Sequence, residues 1–378
     1  MSIASVWTVL AVQASGAGAG EGAGTGATGI LKGLAAYGFW GYLVAALLGF
    51  AILFGIASAL PILFTWAERR VSGRMQQRWG PNRVGPFGLI QALADGIKLM
   101  FKEDIIPAKA DKLLFMVAPG IVLAGMLSAF ALIPLSDSAV VVDTPLGVYL
   151  ITALLSLEVI GVIMAGWASN NKWSLFGAMR EAAQMVSYEI PFGLCILLAV
   201  VSYGTLSLRE MSLAQAGGFL NVGNWLIFHN PLFALPAALI FFIAALANTK
   251  RAPFDLPEAE SELVSGFHTE YSGLRFSFFF LEEYASMFVI SVILIAMYLG
   301  GWNLPFVPGS AMTGSFGAEL LAVLSMLFKA FVLVFVMIWI RWTLPRIRID
   351  QVMSLCYKYL TPIAFVCLIG TCWWELST

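Results

Sequence analysis

The chain has 378 residues, of which 60% are hydrophobic and 11% charged, with a formal net charge of −1. A soluble protein of this size carries roughly a quarter of its residues as charges, so lipid rather than water must solvate most of this surface. The near-zero balance leaves no bulk electrostatic attraction for nucleic acid.

Residues 1–36 come first, and the stretch ASGAGAGEGAGTGATG within them is low complexity without a packing surface. It reads as a flexible outer tail. Residues 1–13 are moderately apolar but lack a basic n-region, which argues against a cleaved signal. From residue 37 to 376 the pattern is that of a single membrane domain. About 20 apolar residues cross the ~30 Å hydrocarbon layer, and eight segments meet that need: 37–66, 113–135, 146–168, 183–206, 231–248, 276–299, 317–341 and 355–374. The first is longer than the layer and must tilt or emerge into solvent, with Pro61 as a kink site. Between the first two spans, Ile90, Leu93, Ile97 and Met100 recur at helical spacing, opposite Gln91, Asp95, Lys98 and Lys102. That predicts an amphipathic helix over about 86–106, lying on the membrane surface. The expected fold is therefore an all-α polytopic membrane protein with eight transmembrane helices and one surface helix.

Basic residues favour cytoplasmic loops. All but three of the 21 lysines and arginines fall in odd-to-even connections or their flanks; the exceptions are Lys32, Arg209 and Lys329. Both termini are therefore expected on the outer, periplasmic side.

Ionisable groups at membrane depth are costly and mark function. Glu158, Glu189, Glu282, Glu283 and Lys329 all lie within predicted spans, and a shared polar interior is expected to hold them. The loop at 249–275 carries RAPFDLPEAESELVSGFHTEYSG, with Asp255, Glu258, Glu260, Glu262 and Glu270. Carboxylates this close titrate as a unit. Acidic runs are usually solvated faces, yet Phe254, Leu256, Leu263, Val264, Phe267 and Tyr271 give this one more packing surface than a solvent loop needs. Cys195, Cys356, Cys367 and Cys372 form no CxxC, and His229 and His268 are far apart in sequence. Such a set cannot ligate several metal centres or iron–sulfur clusters, so the electrons of any redox chemistry travel elsewhere.

Four stretches, ERRVSGRMQQRWGPNRVGPFGLIQALADGIKLMFKED, GWASNNKWSLFGAMREAAQMVSYE, the acidic loop and IRWTLPRIRIDQVM, occur in this order. Together they resemble the H subunits of bacterial proton-pumping NADH–quinone oxidoreductases, respiratory complex I, whose mitochondrial equivalent is NADH dehydrogenase subunit 1. The resemblance covers about residues 40–375. It implies a bacterial inner-membrane subunit with no catalytic residues or metal of its own. Such a subunit shapes a quinone chamber with peripheral-arm partners, touches neighbouring membrane-arm subunits, and leaves FMN and iron–sulfur clusters to other subunits. Glu68, Arg69 and Arg78 match the chamber entrance, and Arg251 and Phe254 the loop core around it. Asp255, Glu258, Glu260, Glu262 and Glu270 match the acidic loop, and Glu189, Glu283 and Lys329 the intramembrane charges. Two departures stand out. Asn248 replaces an acid found in mitochondrial versions, and Glu158 and Glu282 fall outside the pattern. These two are either lineage-specific or take over from the missing acid. The competing readings are a hydrogenase-type relative, a stand-alone ion-coupled transporter and a passive anchor. The intact basic entrance motif disfavours the first. The lack of two similar halves disfavours the second. The intramembrane charges disfavour the third.

Overall fold

The computed structural model describes residues 39–217, 221–312 and 316–377. The expected tail at 1–36 lies outside the described residues. Apolar runs long enough to cross a bilayer have one cheap way to satisfy their backbone, the helix, and the described residues are helical accordingly. We number the main helices α1 (Phe39–Met75), α2 (Gln91–Met100), α3 (Lys112–Ala131), α4 (Gly147–Ala168), α5 (Lys172–Tyr203), α6 (Leu208–Ala214), α7 (Pro231–Asn248), α8 (Gly273–Tyr298), α9 (Phe316–Thr343) and α10 (Ile349–Ser377). Eight of them, all but α2 and α6, are long and apolar enough to span a membrane.

α8 is the axis of the bundle: every residue from Glu282 to Tyr298 is buried, and α1, α3, α7 and α9 pack around it. α5 bridges α4, α7 and α10. α3 and α4 lie against each other along their lengths. They can do so because Gly161 lacks a side chain, and a Cβ there would stand 2.3 Å from Val122. Small residues at such seams replace the hydrophobic drive that lipid removes.

Several boundaries differ from those expected, among them the end of α1, which runs on to Met75 and not 66. α5 begins at Lys172, not near 183, because Asn171 caps the helix by accepting from the Trp173 amide and a polar but helical stretch precedes the apolar one. α10 begins at Ile349 and runs through a π-helical segment, Leu355–Leu360. Pro61 sits inside α1 without ending it, and Thr65 donates to the Pro61 carbonyl. The surface helix α2 is shorter than expected. Its polar side meets α1, with Arg69 2.5 Å from Asp95, while Leu93, Ile97 and Met100 are exposed.

Most of the acidic loop is packed against the bundle, and it is not a continuous helix. It makes one turn at Glu260–Leu263, then a tighter one at Gly266–His268. Phe267 and Tyr271 enter an aromatic cluster with Phe115 and Phe279; Tyr271 stacks on Phe115 at 4.0 Å and donates to its carbonyl. Leu263 is buried as expected, but Val264 is exposed, because its positive φ turns it away from the packed side. Gly266 also has positive φ, and a Cβ there would stand 1.7 Å from the Pro257 carbonyl oxygen. That position admits only glycine. The Ala252–Pro253 peptide is cis.

Candidate functional site

Two buried charge clusters sit where the acidic loop meets the ends of the spans. The first is organised by Arg251, 2% exposed. Its guanidinium lies 3.3 Å from Glu68 of α1 and 2.9 Å from Glu283 of α8, and it covers the Tyr284 ring at 4.1 Å. Glu68 also accepts from the Tyr284 hydroxyl at 2.7 Å and from Arg341 of α9 at 2.5 Å. Two arginines thus face two carboxylates. The balance matters, since burying an unpaired ion costs several kcal/mol. One loop residue in this way ties together three spans.

The second cluster is organised by Lys250, also 2% exposed. Its Nζ lies 2.5 Å from Glu158 of α4 and 3.6 Å from Glu282 of α8, with the Phe267 ring 5.3 Å away. Glu181 of α5 is buried and interacts electrostatically with both Lys250 and Glu158. Burial works against the lysine charge, but Glu158, Glu282 and Glu181 overcome it and hold its pKa well above the usual value. Asn248 lies beside this cluster, where its carbonyl accepts from the Tyr188 hydroxyl at 2.6 Å.

The other expected site residues are spread more widely. Glu258 lies 3.7 Å from His268. That carboxylate favours a charged imidazole, yet burial first and Lys250 second push the His268 pKa down to about 4. Glu262 is at the surface and bridges Arg180 of α5, at 2.6 Å, and Arg346 before α10, at 3.0 Å. Those hydrogen bonds and charges keep its pKa below the usual value. Glu270 accepts from Asn171 at 2.6 Å. Asp255 is half-buried and Phe254 buried. The side chain of Glu260 lies outside the described residues. Arg69 joins α1 to α2, and Arg78 is exposed and donates to Gln76.

Two intramembrane charges are not brought into either cluster. Glu189 is exposed on the outer face of α5. Lys329 donates to the Leu299, Gly301 and Asn303 carbonyls at 2.8, 2.9 and 2.7 Å, and sits 4.3 Å from the Trp225 ring. It therefore caps the far end of α8, where the helix dipole is negative, roughly 24 Å along that helix from Glu283. Of the five intramembrane charges expected to share an interior, Glu158, Glu282 and Glu283 are the ones drawn into the buried clusters.

Sequence reasoning misses Lys250 and Glu181. Lys250 counts there only as one more basic residue of a cytoplasmic loop. Glu181, Gln184 and Tyr188 recur at three and four residues, so they share one helix face, and all three are buried. That spacing is a readable signal.

Beside the loop, a cavity of about 440 Å³ opens between α2 and the start of α8, bordered by Lys98, Lys102, Tyr271 and Phe276.

A family model described as NADH dehydrogenase matches residues 48–372. The chain belongs to the NADH dehydrogenase family. It is 45% identical to the NADH-quinone oxidoreductase H subunit of Anaeromyxobacter dehalogenans over 90% of this chain and 84% of the relative. It is 45% identical to the corresponding H subunit from Chlorobaculum tepidum, over 85% of this chain and 92% of that one. The NADH-quinone oxidoreductase subunit 8 of Rhodothermus marinus is 44% identical over 86% of this chain and 95% of its own length. Family membership thus covers both charge clusters and the cavity.

Proposed function

We propose that this chain is the H-type membrane subunit of an NADH–quinone oxidoreductase, and that it forms the quinone chamber and couples quinone reduction to proton translocation. The observation that carries the reading is the Arg251 cluster. A loop residue on the basic side of the membrane grips Glu68, and through it Arg341, together with Glu283. A charge that appears at the chamber would be felt by this arginine, and three spans would respond together. Quinone reduction consumes protons and creates such a charge. The buried carboxylates behind the loop then change protonation or conformation, a local electrostatic event with a distant readout.

In this reading Glu68, Arg69 and Arg78 flank the entrance, and Arg251 and Phe254 form the chamber wall. Asp255, Glu258, Glu260, Glu262 and Glu270 line the link into the membrane, continued by Glu283, with Glu158 and Glu282 beside it. The amphipathic α2, with its apolar face turned to lipid, forms the lip over which an amphiphilic quinone enters. Residues 37–376 act as one membrane domain in the bacterial inner membrane, with both termini periplasmic. The chain carries no redox centre in this scheme; FMN and iron–sulfur clusters belong to peripheral partners that dock on the loop side.

Glu189 and Lys329 take different roles. An ionised carboxylate facing hydrocarbon costs several kcal/mol, so the exposed Glu189 marks where a neighbouring membrane-arm subunit packs. Lys329 anchors the outer end of α8, against which the coupling charges are held.

The test is co-purification. An N-terminally tagged chain is extracted from native membranes in mild detergent, its companions are identified, and NADH:quinone reductase activity is assayed with and without a quinone-site inhibitor. A large assembly with inhibitor-sensitive activity is expected. Hydrogenase subunits, or a chain that purifies alone, would refute the proposal.

A further inference from the structure

Three carboxyl groups surround one lysine in the second cluster, and the cluster is not balanced. Glu158 stands at contact distance from Lys250, but Glu282 is 3.6 Å away, beyond hydrogen-bond reach. Both Glu282 oxygens are buried without a hydrogen-bond donor, as is one oxygen of Glu181. The groups around Lys250 come from every element packed on it. They are Glu158 from α4, Glu181 and Tyr188 from α5, Glu282 and Glu283 from α8, and Glu258 and His268 from the loop. Glu283 and Glu258 have other partners, Arg251 and His268. His268, held neutral by burial and by Lys250, adds no positive charge near neutral pH.

An ionised carboxylate in such a place needs a counter-ion or donors to repay its lost hydration. Lys250 supplies one positive charge, and Glu158 takes it at 2.5 Å. Nothing comparable is left for Glu282. The cheap solution is the neutral acid.

The geometry points to a buried proton-holding site at Lys250, in which Glu158 is the counter-ion of the lysine and Glu282 carries a proton. The site adjoins the Arg251 cluster, whose formal charges already match, and Glu283 feels both Arg251 and Lys250. Glu282 and Glu283 are adjacent in sequence, yet one belongs to each cluster, so α8 places a proton store next to a balanced ion network. Asn248 stands where it can only exchange hydrogen bonds; Lys250, two residues on, brings the charge that assembles the site. The chemistry is reversible: the Glu282 O–H bond breaks as its proton passes to the Glu158 carboxylate, which becomes the neutral acid, and Lys250 then pairs with the Glu282 carboxylate left behind. Its place on a coupling route rests on the function proposed above; its protonation does not.

The experiment is infrared spectroscopy of the purified full complex near neutral pH, in H₂O and D₂O, on the parent and on two neutral isosteres, Glu282→Gln and Glu158→Gln. The parent should show a protonated-carboxyl stretch from a buried acid that shifts in D₂O. E282Q should assemble normally and lose that band, because the amide mimics the neutral acid. E158Q should lose it too, although Glu282 is still present, because the lysine then recruits Glu282 as its counter-ion. A structural packing role would not move a band in this crossed way. An unchanged band in either variant would overturn the proposal, as would failure of E282Q to assemble. Should the parent complex lack inhibitor-sensitive quinone reduction, the functional reading falls while the spectral test stands.

Discussion

Arg251 shows how much of this protein hangs on single side chains. It is fully enclosed, faces two carboxylates from two helices, and lies over a tyrosine ring. Replacing it with methionine keeps much of the volume but strands Glu283 and leaves Glu68 to Arg341 and Tyr284 alone. Breaking one partner out of a buried pair costs about 3–5 kcal/mol. Arg251→Met is therefore expected to lower the midpoint of thermal unfolding in detergent and to cut assembled complex in membranes severalfold. The double change Arg251→Met with Glu283→Gln should recover part of the loss, because it removes a stranded charge. Equal loss in single and double variants would mean that packing, not charge balance, makes Arg251 indispensable. The residue itself is legible in the sequence through the motif that contains it, and so are Glu68 and Glu283. Lys250 is not, for a physical reason. A lysine at a span's end is normally a snorkelling or topology residue, and only tertiary folding turns this one inward, under Phe267 and between Glu158 and Glu282. In the opposite sense, hydropathy assigns Glu189 to the interior because it reports depth and says nothing of which way a side chain faces.

The acidic loop is the element where sequence and structure diverge most usefully. Its aromatic residues announce packing, and Phe267 and Tyr271 do pack. Leu263, Val264, Phe267 and Tyr271 stand at near-helical spacing, but Gly266 and Val264 adopt positive φ and break the period. The same difference explains the helix boundaries: apolar length identifies a span, but α5 extends into polar sequence that only its cap at Asn171 marks. The loop also carries a pH response. His268 has its pKa pushed from 6.5 down to about 4 in the fold, by burial and by Lys250. Between those values the unfolded loop binds a proton that the folded loop refuses, so stability falls as pH drops through this window and is flat above it. The full effect is about 3 kcal/mol. Limited proteolysis between residues 255 and 271 should therefore accelerate from pH 7 to pH 5, and His268→Asn should flatten that dependence. A variant as pH-sensitive as the parent would assign the effect to the carboxylates instead.

At the scale of the whole molecule, the charged clusters gather at one end of the bundle. The ends of α1, α4, α7 and α9 meet the starts of α3, α5, α8 and α10 there: Asp111 bonds Ala168, Glu270 bonds Asn171, and Glu68 binds Arg251 and Arg341. The opposite end has its own smaller tie, Arg209 at 2.8 Å from both Asp137 and Asp143. Basic residues concentrate at the first end, so it should face the cytoplasm, and the orientation has consequences for everything above. In the proposed function a loop on that side would meet soluble electron-carrying partners; on the other side it could not. Cys195, Cys356 and Cys367 are buried and Cys372 is partly exposed, so a Cys372→Ser background is nearly blind to thiol reagents. In that background Ser377→Cys should react with a membrane-impermeant maleimide in intact spheroplasts. Lys109→Cys, exposed at the charged end, should react only in inverted vesicles. The reverse pattern would put the Arg251 and Lys250 clusters on the outer side, out of reach of a cytoplasmic NADH-oxidising arm. The fold would then stand and the proposed coupling would not.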